Sequence, residues 1–559
     1  MTSYVDSKVS ALQLKTGEGE SVETLGTSPV SRRLPGRFIN PAYNFLRLDF
    51  WFGQLDGRPF SLFRIVMALL MLKEVVYHIP IAGLFYSDSG VFPRSLLLTD
   101  VIRAQHLSLM EAIPTDWLAV LFFLAWGIVA LGLLFGYRTR LMSVLNYVII
   151  LSVHERNVFV LTGADTVLRM LCFWMIFIDL SQYYSLDAVW RRRTGDPRAT
   201  GTVYAFPVRM LQIQIAIIYI VTALTKMQGD QWLNGTAMNY VVQLQSMLLP
   251  TGHWLAAMAP DWVLRSLTYM TLVAEIGFAF FMFAPFFQPV LKIVGLMLVI
   301  GLHAGIALTM IMPLPDFSLI MLTSYVVFFD PDWALWIDPK LSPPLLRLSR
   351  VNFIRDRLNR ATNWLLAHYA PPQIPRYAAL HKGFNWKGLF TLALAGIMLC
   401  IVWWNIQNFV DDGYIRAPAM PAALQDLVRY SGTWQYWDMF APIPLQNDGW
   451  IVLPGKFEDG TALDVRTGQP VRDGLPDAPW GPLMRWKKYD ENANNNRDDQ
   501  MLQAWAGYYC RQYNVVEDRP PGKRLATLEI HYIYTHSHAP GAPTNAQQDD
   551  LLWSHNCLS

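Results

Sequence analysis

The chain contains few charged residues: Asp, Glu, Lys and Arg make up 16% of its 559 residues, against roughly 25% in an ordinary soluble domain. Its formal net charge of +2 offers no broad basic surface to DNA or RNA. Because 53% of the residues are hydrophobic, neither a disordered chain nor a collagen-like repeat fits the composition. We therefore expect no nucleic-acid partner.

The sequence also lacks the motifs of several common enzyme classes. It has no Walker phosphate loop, no glycine-rich dinucleotide motif after a strand, no HExxH zinc motif and no serine nucleophile elbow. His531, His536 and His538 are irregularly spaced for metal ligands. No metal is predicted.

Cysteine is scarce as well, with four in the whole chain. Cys172 and Cys400 lie within apolar runs, where a thiol usually acts as an inert apolar filler. Cys510 and Cys557 both lie in the polar C-terminal part. An oxidising compartment favours their pairing, so a disulfide between them is predicted.

Long apolar runs, by contrast, are frequent. A hydrocarbon core about 30 Å thick requires about 20 apolar residues for each helical span. The sequence predicts a polytopic all-α membrane protein with about nine transmembrane helices, followed by a C-terminal extracytoplasmic domain that is β-rich or α+β. The nine candidate helices lie near residues 60–82, 117–136, 141–161, 167–185, 208–227, 262–284, 290–312, 316–330 and 388–409.

Lys and Arg are unevenly distributed between alternate loops. Four lie in the loops predicted to face outward, against 24 in the other set, which comprises residues 1–60, 137–140, 186–209, 285–292 and 331–387. The positive-inside rule therefore predicts a cytosolic N-terminus. An odd number of spans then places the C-terminal domain outside, and we expect an integral protein of the bacterial inner membrane.

Three domains follow from this pattern. Residues 1–55 form a polar cytosolic tail without the apolar segment of a cleavable signal peptide. Residues 56–410 form the transmembrane domain, and residues 411–559 the extracytoplasmic domain. Within the second, the cytosolic connector 331–387 carries arginines among apolar residues, which fits either an amphipathic helix on an anionic leaflet or a solvated connector.

The C-terminal domain carries signals for strands and a helix. Asp459-Gly460 is a typical turn sequence between two short strand-like runs. Residues 525–535 alternate as in a strand, and residues 498–513 have a helical pattern.

Ionisable residues within apolar spans are costly and therefore become functional candidates. Lys226 ends the fifth predicted span, and the loop after it, 227–261, contains no Lys or Arg. Burial disfavours the ammonium form, so such a lysine can serve as a neutral base. The alternative is that Lys226 extends to the membrane interface.

Glu275 and His303 are similarly isolated in the sixth and seventh spans. A buried carboxylate and imidazole can position a substrate or relay protons, or can simply clamp helices together.

A further polar group joins the third and fourth spans. Arg156 and Asp165 either form an ion pair at the rim or line a polar cavity. His154 can act as an acid or base near neutral pH, or be only hydrogen-bonded. The first span also carries polar residues that either face other helices or take part in function: Arg64, Lys73, Glu74 and His78.

The run from Gln214 to Tyr240, which contains Tyr219, Lys226 and Trp232, resembles the signature of the vitamin K-dependent γ-carboxylase family, whose membrane unit is called the HTTM domain. Further matching pieces occur in the expected order: Gly136-Tyr137-Arg138-Thr139-Arg140, Arg156-Asn157, Asp165, Tyr184-Ser185-Leu186-Asp187 and Trp437-Asp438-Met439-Phe440-Ala441-Pro442.

The resemblance implies a specific chemistry. Lys226 would be the base that deprotonates reduced vitamin K or menaquinone, and His303 a second catalytic group. Oxygenation by O2 then generates the stronger base that removes a γ-proton from glutamate before CO2 adds. The lipid bilayer and a secreted or membrane-bound protein or peptide are the expected partners. Residues expected to bind the quinone or substrate are Tyr219, Trp232, Glu275, Arg156, Asp165 and His154.

One residue departs from the family pattern. Gln182 stands where the animal enzymes carry a histidine before the aromatic-Ser-x-Asp motif, and glutamine cannot transfer a proton. The alternatives are therefore another quinone-linked modification, or a non-enzymatic maturation partner or transporter. We find no internal repeat of the kind many transporters have.

Overall fold

The chain is mainly helical, with its longest strands near the C-terminus. The computed structural model describes residues 44–98, 108–310, 314–330, 360, 385–410, 418–471 and 485–558. In the transmembrane part the helices are α1 (Leu48–Phe52), α2 (Arg58–His78), α3 (Ala82–Tyr86), α4 (Asp116–Phe135), α5 (Thr139–Arg156), α6 (Gly163–Met175), α7 (Leu186–Thr194), α8 (Ala205–Lys226), α9 (Asp230–Leu233), α10 (Ala237–Val241), α11 (Pro250–Met258), α12 (Asp261–Phe283), α13 (Val290–Thr309), α14 (Leu314–Ser324) and α15 (Trp386–Val410).

The C-terminal part adds α16 (Ala422–Tyr430), α17 (Arg485–Asn496) and α18 (Asp499–Arg511). The strands are β1 (Gln54–Asp56), β2 (Thr202–Tyr204), β3 (Asn447–Val452), β4 (Pro454–Phe457), β5 (Ala462–Asp464), β6 (Leu525–His536) and β7 (Gln548–Asn556). The predicted tail, residues 1–55, and connector, residues 331–387, lie largely outside the described residues.

Six helices of the described residues are long and apolar enough to cross a membrane: α2 with its extension to Tyr86, α4, α8, α12, α13 and α15. The chain is an integral membrane protein, but the predicted count of nine spans is not confirmed. The other three predicted spans are present as helices α5, α6 and α14. Helix α6 has 13 residues and α14 has 11, which at 1.5 Å per residue is too short for a 30 Å core.

Helix α8 is the best-shielded of the six spans. In its most apolar window 78% of the residues are buried, against 28% in α12, α13 and α15. It packs against α6, α12 and α15. The outer spans therefore present apolar faces to lipid, whereas α8 presents its side chains to the interior of the bundle.

The local sequence explains where two helices of the bundle end or begin. Gly136 caps the C-terminus of α4 with a φ of 64°, a left-handed conformation that glycine adopts without strain. A side chain there would also collide with Arg64 and Ser185. At the start of α6, Thr162 and Asp165 form a reciprocal capping box.

The C-terminal sheet is built around β6. This strand pairs antiparallel with β3 and β4 on one side and with β7 on the other, and β5 pairs with β4. Gly460 occupies the turn between β4 and β5 with a φ of 84°. The sheet region, the turn at Asp459-Gly460, the strand over 525–535 and the helix over 498–513 are confirmed.

The predicted disulfide is present: Cys510 on α18 bonds to Cys557, which follows β7, across a sequence separation of 47. It ties a helix to the edge of the sheet. Cys172 and Cys400 are free.

Removing this disulfide will destabilise the C-terminal domain. For a loop of this length, the chain-entropy relation gives about 4 kcal/mol of lost unfolding free energy. The measurement is thermal unfolding of the full-length Cys510→Ala/Cys557→Ala variant. The control is Cys400→Ala, which removes a cysteine that forms no disulfide. Equal melting of both variants and the wild type would contradict a stabilising role.

Candidate active site

Lys226 lies at the C-terminal end of α8 and is buried, with 6% of its side chain exposed. Its Nζ lies 2.5 Å from Oε1 of Glu275 on α12 and 4.7 Å from the ring centroid of Trp232. The carboxylate compensates the charge of a buried ammonium, and the indole face attracts it. Lys226 therefore points into the bundle toward Glu275 and does not extend to the membrane interface.

A second polar group lies on the same face of α8. Tyr219 precedes Lys226 by about two helical turns. Its hydroxyl is 2.8 Å from Nε2 of His303 on α13 and also hydrogen-bonds to the hydroxyl of Tyr325. The ring of Phe278 packs against Tyr219 with centroids 4.5 Å apart. Helices α8, α12 and α13 thus bring the predicted residues Tyr219, Lys226, Glu275 and His303 into one region.

Two buried polar atoms of this region have no hydrogen-bond partner among the described residues: Oε2 of Glu275 and Nδ1 of His303. An unsatisfied buried polar atom costs about 1–3 kcal/mol. Such atoms in native structures call for an explanation, and one explanation is a ligand. Both atoms therefore keep a hydrogen-bonding capacity that no described residue uses.

Trp232 links this region to the C-terminal half of the chain. Its indole Nε1 donates to the carbonyl oxygen of Phe440 at 2.9 Å. Nearby, a Cβ added to Gly229 would lie 1.9 Å from the carbonyl oxygen of Pro442, so only glycine permits this approach. The predicted quinone-binding residue Trp232 therefore has its face on Lys226 and its edge on residues 437–442.

Helix α8 also contacts Gln435, which lies just before residues 437–442 in the chain. The side chain of Gln214 donates to Gln435 at 2.7 Å, and both are fully buried. Trp437 donates to the same Gln435 side chain at 2.8 Å. We call residues 431–442 the strap, because this segment runs across α8 and buries Thr433, Gln435 and Trp437 against the bundle.

A second cluster forms where α17 meets the bundle. Arg485 donates to both oxygens of Asp165, at 2.6 and 2.8 Å, and lies 3.8 Å from Glu74. Burial alone would lower the pKa of Arg485, but the charge and hydrogen bonds of Asp165 raise it well above its ordinary value. Asp165 lines a small cavity beside Arg485, without the Arg156 that the sequence predicted beside it. His154 lies 3.6 Å from the same carboxylate.

The cavity beside Arg485 is small. Its volume of about 10 Å³ is room for about one water molecule. Lys73 ion-pairs with Glu74 and with Asp316 at its wall. The neighbour of Asp316, Phe317, packs against His303 with centroids 5.4 Å apart, so helix α14 separates the two clusters.

Arg156 and Gln182 stand apart from both clusters. Arg156 is not paired with Asp165: its Nη2 is 3.4 Å from the carbonyl oxygen of Ser87. Gln182 donates to Asp179 at 2.8 Å, and its Oε1 accepts from the Gly201 amide at 3.0 Å. Gln182 therefore holds the loop beside the start of α2, whereas the Arg485 cluster lies at the end of α2.

Sequence reasoning missed Tyr325 and Arg485. Tyr325 stands in a short 3₁₀ segment at the end of the eighth predicted span, where an aromatic residue is unremarkable. Arg485 opens a polar helix with no motif around it. Only the folded chain brings them to the site.

The chain matches the HTTM domain over residues 52–333. This is half of its length, and the match runs through α2, α8, α12, α13 and α14. The chain belongs to the HTTM family. The HTTM domain is also found in the vitamin K-dependent γ-carboxylase family. No solved structure matches the chain.

The HTTM domain supplies Tyr219, Lys226, Glu275 and His303. The strap and Arg485 come from beyond it. Both clusters are therefore assembled from the HTTM domain together with the C-terminal part of the chain.

Proposed function

We propose that this HTTM protein is a membrane enzyme whose base is Lys226 acting with Glu275. Its substrates are a reduced quinone, either reduced vitamin K or menaquinone, O2, CO2 and a glutamate residue of a protein or peptide. Its products are the carboxylated glutamate, the quinone epoxide, which takes one oxygen atom of O2, and water, which takes the other. The observation that carries the proposal is the buried contact of 2.5 Å between Lys226 Nζ and Glu275 Oε1.

The pair allows a buried lysine to work as a base. An ammonium group cannot accept a proton, so Lys226 must first lose one. Glu275 is the group at hand to hold that proton, because charge separation is costly in a buried site. A hydroquinone hydroxyl can then transfer its proton to neutral Nζ.

The surroundings fit a flat aromatic substrate with hydroxyl groups. Trp232, Phe278 and Tyr219 offer apolar ring surfaces. Nδ1 of His303 and Oε2 of Glu275 offer unused polar atoms. Once oxygenated, the hydroquinone would supply the strong base that removes the γ-proton of glutamate. His303, bonded to Tyr219, would position a quinone oxygen or relay a proton.

We further propose that the N-terminus is cytosolic and that the C-terminal domain lies outside a bacterial inner membrane. The unequal distribution of Lys and Arg between alternate loops supports this orientation, as does the disulfide Cys510–Cys557. A secreted or membrane-bound protein or peptide would then meet the enzyme on its outer face.

A turnover assay on the purified full-length protein tests the proposal. It combines reduced menaquinone or vitamin K, O2, labelled bicarbonate and a glutamate-containing peptide, and measures quinone epoxide and label fixed in the peptide. Both products together support a carboxylase. Epoxide without fixed label supports another quinone-linked modification, and neither product favours a non-enzymatic maturation partner or transporter.

Replacing Glu275 by glutamine will lower the turnover number about 100-fold, because general acid–base groups contribute roughly 10²- to 10⁴-fold. The amide keeps the shape of the side chain but cannot accept the lysine proton. The expected change is in kcat with the KM for quinone retained. Glu275→Asp should restore part of the rate, and Asp330→Asn, which removes the carboxylate that pairs with buried Lys292, is the control. Equal loss in Glu275→Gln and Asp330→Asn would indicate only a structural effect.

A further inference from the structure

A cavity of about 360 Å³ opens at the end of the bundle where α8 begins, whereas Lys226 stands at the other end of α8. Its walls come from the turn between α4 and α5, from α7 and from the loop after α7. The residues that line it are Arg138, Thr139, Arg140, Leu141, Asp187, Trp190, Arg191, Thr194, Asp196 and Arg198.

The lining carries more positive than negative charge, with four arginines and two aspartates. Both aspartates are engaged. Asp187 accepts from the amides of Arg138 and Thr139 at 2.9 and 2.8 Å, and Asp196 pairs with Arg198 at 2.6 Å. Arg140 is exposed and has no carboxylate within ion-pair distance in the described part of the chain. Arg191 pairs with Asp179 at 3.2 Å, so the excess of positive charge at the cavity rests on Arg140.

Trp190 lines the cavity together with the arginines. The indole Nε1 of Trp190 is buried and has no hydrogen-bond partner among the residues described. Its ring packs edge-on against Tyr137, with centroids 5.7 Å apart. The guanidinium groups of the lining are suited to an acceptor-only ligand such as a phosphate oxygen.

An apolar stripe on α5 starts at the cavity. Leu141, Val144, Leu145 and Val148 are each between 36% and 39% exposed, and their spacing places them on one face of the helix. The membrane span α4 ends beside them at Phe135, which is 41% exposed. Arg140 therefore stands where the lipid-facing surface gives way to the polar turn.

We propose that this cavity binds the phosphate of an anionic phospholipid, with the acyl chains along the stripe of α5. Arginines at a membrane boundary attract anionic headgroups, and the adjoining apolar stripe favours a lipid over free phosphate. The site is independent of the reaction proposed for Lys226.

Native mass spectrometry of the full-length protein tests this with phosphatidylglycerol and phosphatidylcholine of identical acyl chains. Wild type is expected to bind phosphatidylglycerol more tightly. Arg140→Gln is expected to weaken that binding about fivefold, the factor for one arginine near an anionic surface. Arg265→Gln, at the start of α12 and paired with Asp261, is the matched control and should change nothing.

Three results would overturn the proposal. Equal affinity for the two lipids would remove the charge recognition. Equal effects of Arg140→Gln and Arg265→Gln would place the lipid elsewhere. Displacement of phosphatidylglycerol by millimolar inorganic phosphate would identify a site for free phosphate.

Discussion

Lys226→Ala will lower the kcat of quinone turnover about 10³-fold, because the variant removes the base itself. Lys226 contacts both a buried carboxylate and a tryptophan ring. The measurement is epoxide formation by the purified full-length variant in the assay described above. Label fixed in the peptide should fall in parallel.

The bundle provides a matched control for this prediction. Lys292 on α13 is also buried and pairs with Asp330 at 3.3 Å. Lys292→Ala therefore also removes a buried lysine from a carboxylate partner, away from Tyr219 and Glu275. We expect it to keep most of the activity. Turnover by Lys226→Ala at the level of Lys292→Ala would refute Lys226 as the base.

Arg485→Met will loosen the C-terminal domain from the bundle. The substitution leaves Asp165 buried without its bidentate partner, and breaking a buried pair in this way costs about 3–5 kcal/mol. Amide hydrogens of α17 should consequently exchange faster, and the melting temperature of the full-length protein should fall. Hydrogen–deuterium exchange read by mass spectrometry measures the first effect.

Two further variants distinguish loss of the Arg485–Asp165 contact from unspecific destabilisation of the protein. Arg497→Met removes an exposed ion pair with Asp550 and is expected to cost at most about 1 kcal/mol. Adding Asp165→Asn to Arg485→Met removes the stranded charge, so the double variant should recover part of the stability. Unchanged exchange in α17 of Arg485→Met would show that this contact does not hold the domain.

The sequence is most informative where a signal is local. Apolar runs located the six spans because a helix that faces lipid must be apolar along its length. The alternation of apolar and polar residues over 525–535 and the turn sequence Asp459-Gly460 located strands of the C-terminal sheet. The predicted count of nine spans is not confirmed, because α5, α6 and α14 are not among the six candidate spans. The polar residues of α5 and α6 turn inward: His154, Glu155 and Asp165 are buried. Burial against other helices permits a shorter and more polar helix than lipid does.

The candidate site was predictable as a set of residues but not as contacts. Lys226, Glu275 and His303 stand out because each is ionisable in an apolar run. That Lys226 meets Glu275 depends on the rotation of α12 against α8, which no local pattern encodes. Arg485 contacts Asp165 across a separation of 320 residues. Such a long-range pair cannot be predicted from a single sequence.

The bond from Trp232 to the Phe440 carbonyl has a consequence for inheritance and for engineering. The two halves of this protein cannot be exchanged freely between relatives. A transplanted C-terminal half must bring a strap whose backbone reaches Trp232 and passes Gly229 without a clash. Expression of residues 52–333 alone would leave the Trp232 indole and the Gln214 amide without these partners. The match to the HTTM domain ends at residue 333. The part of the chain that must be inherited together is larger, because it includes the strap.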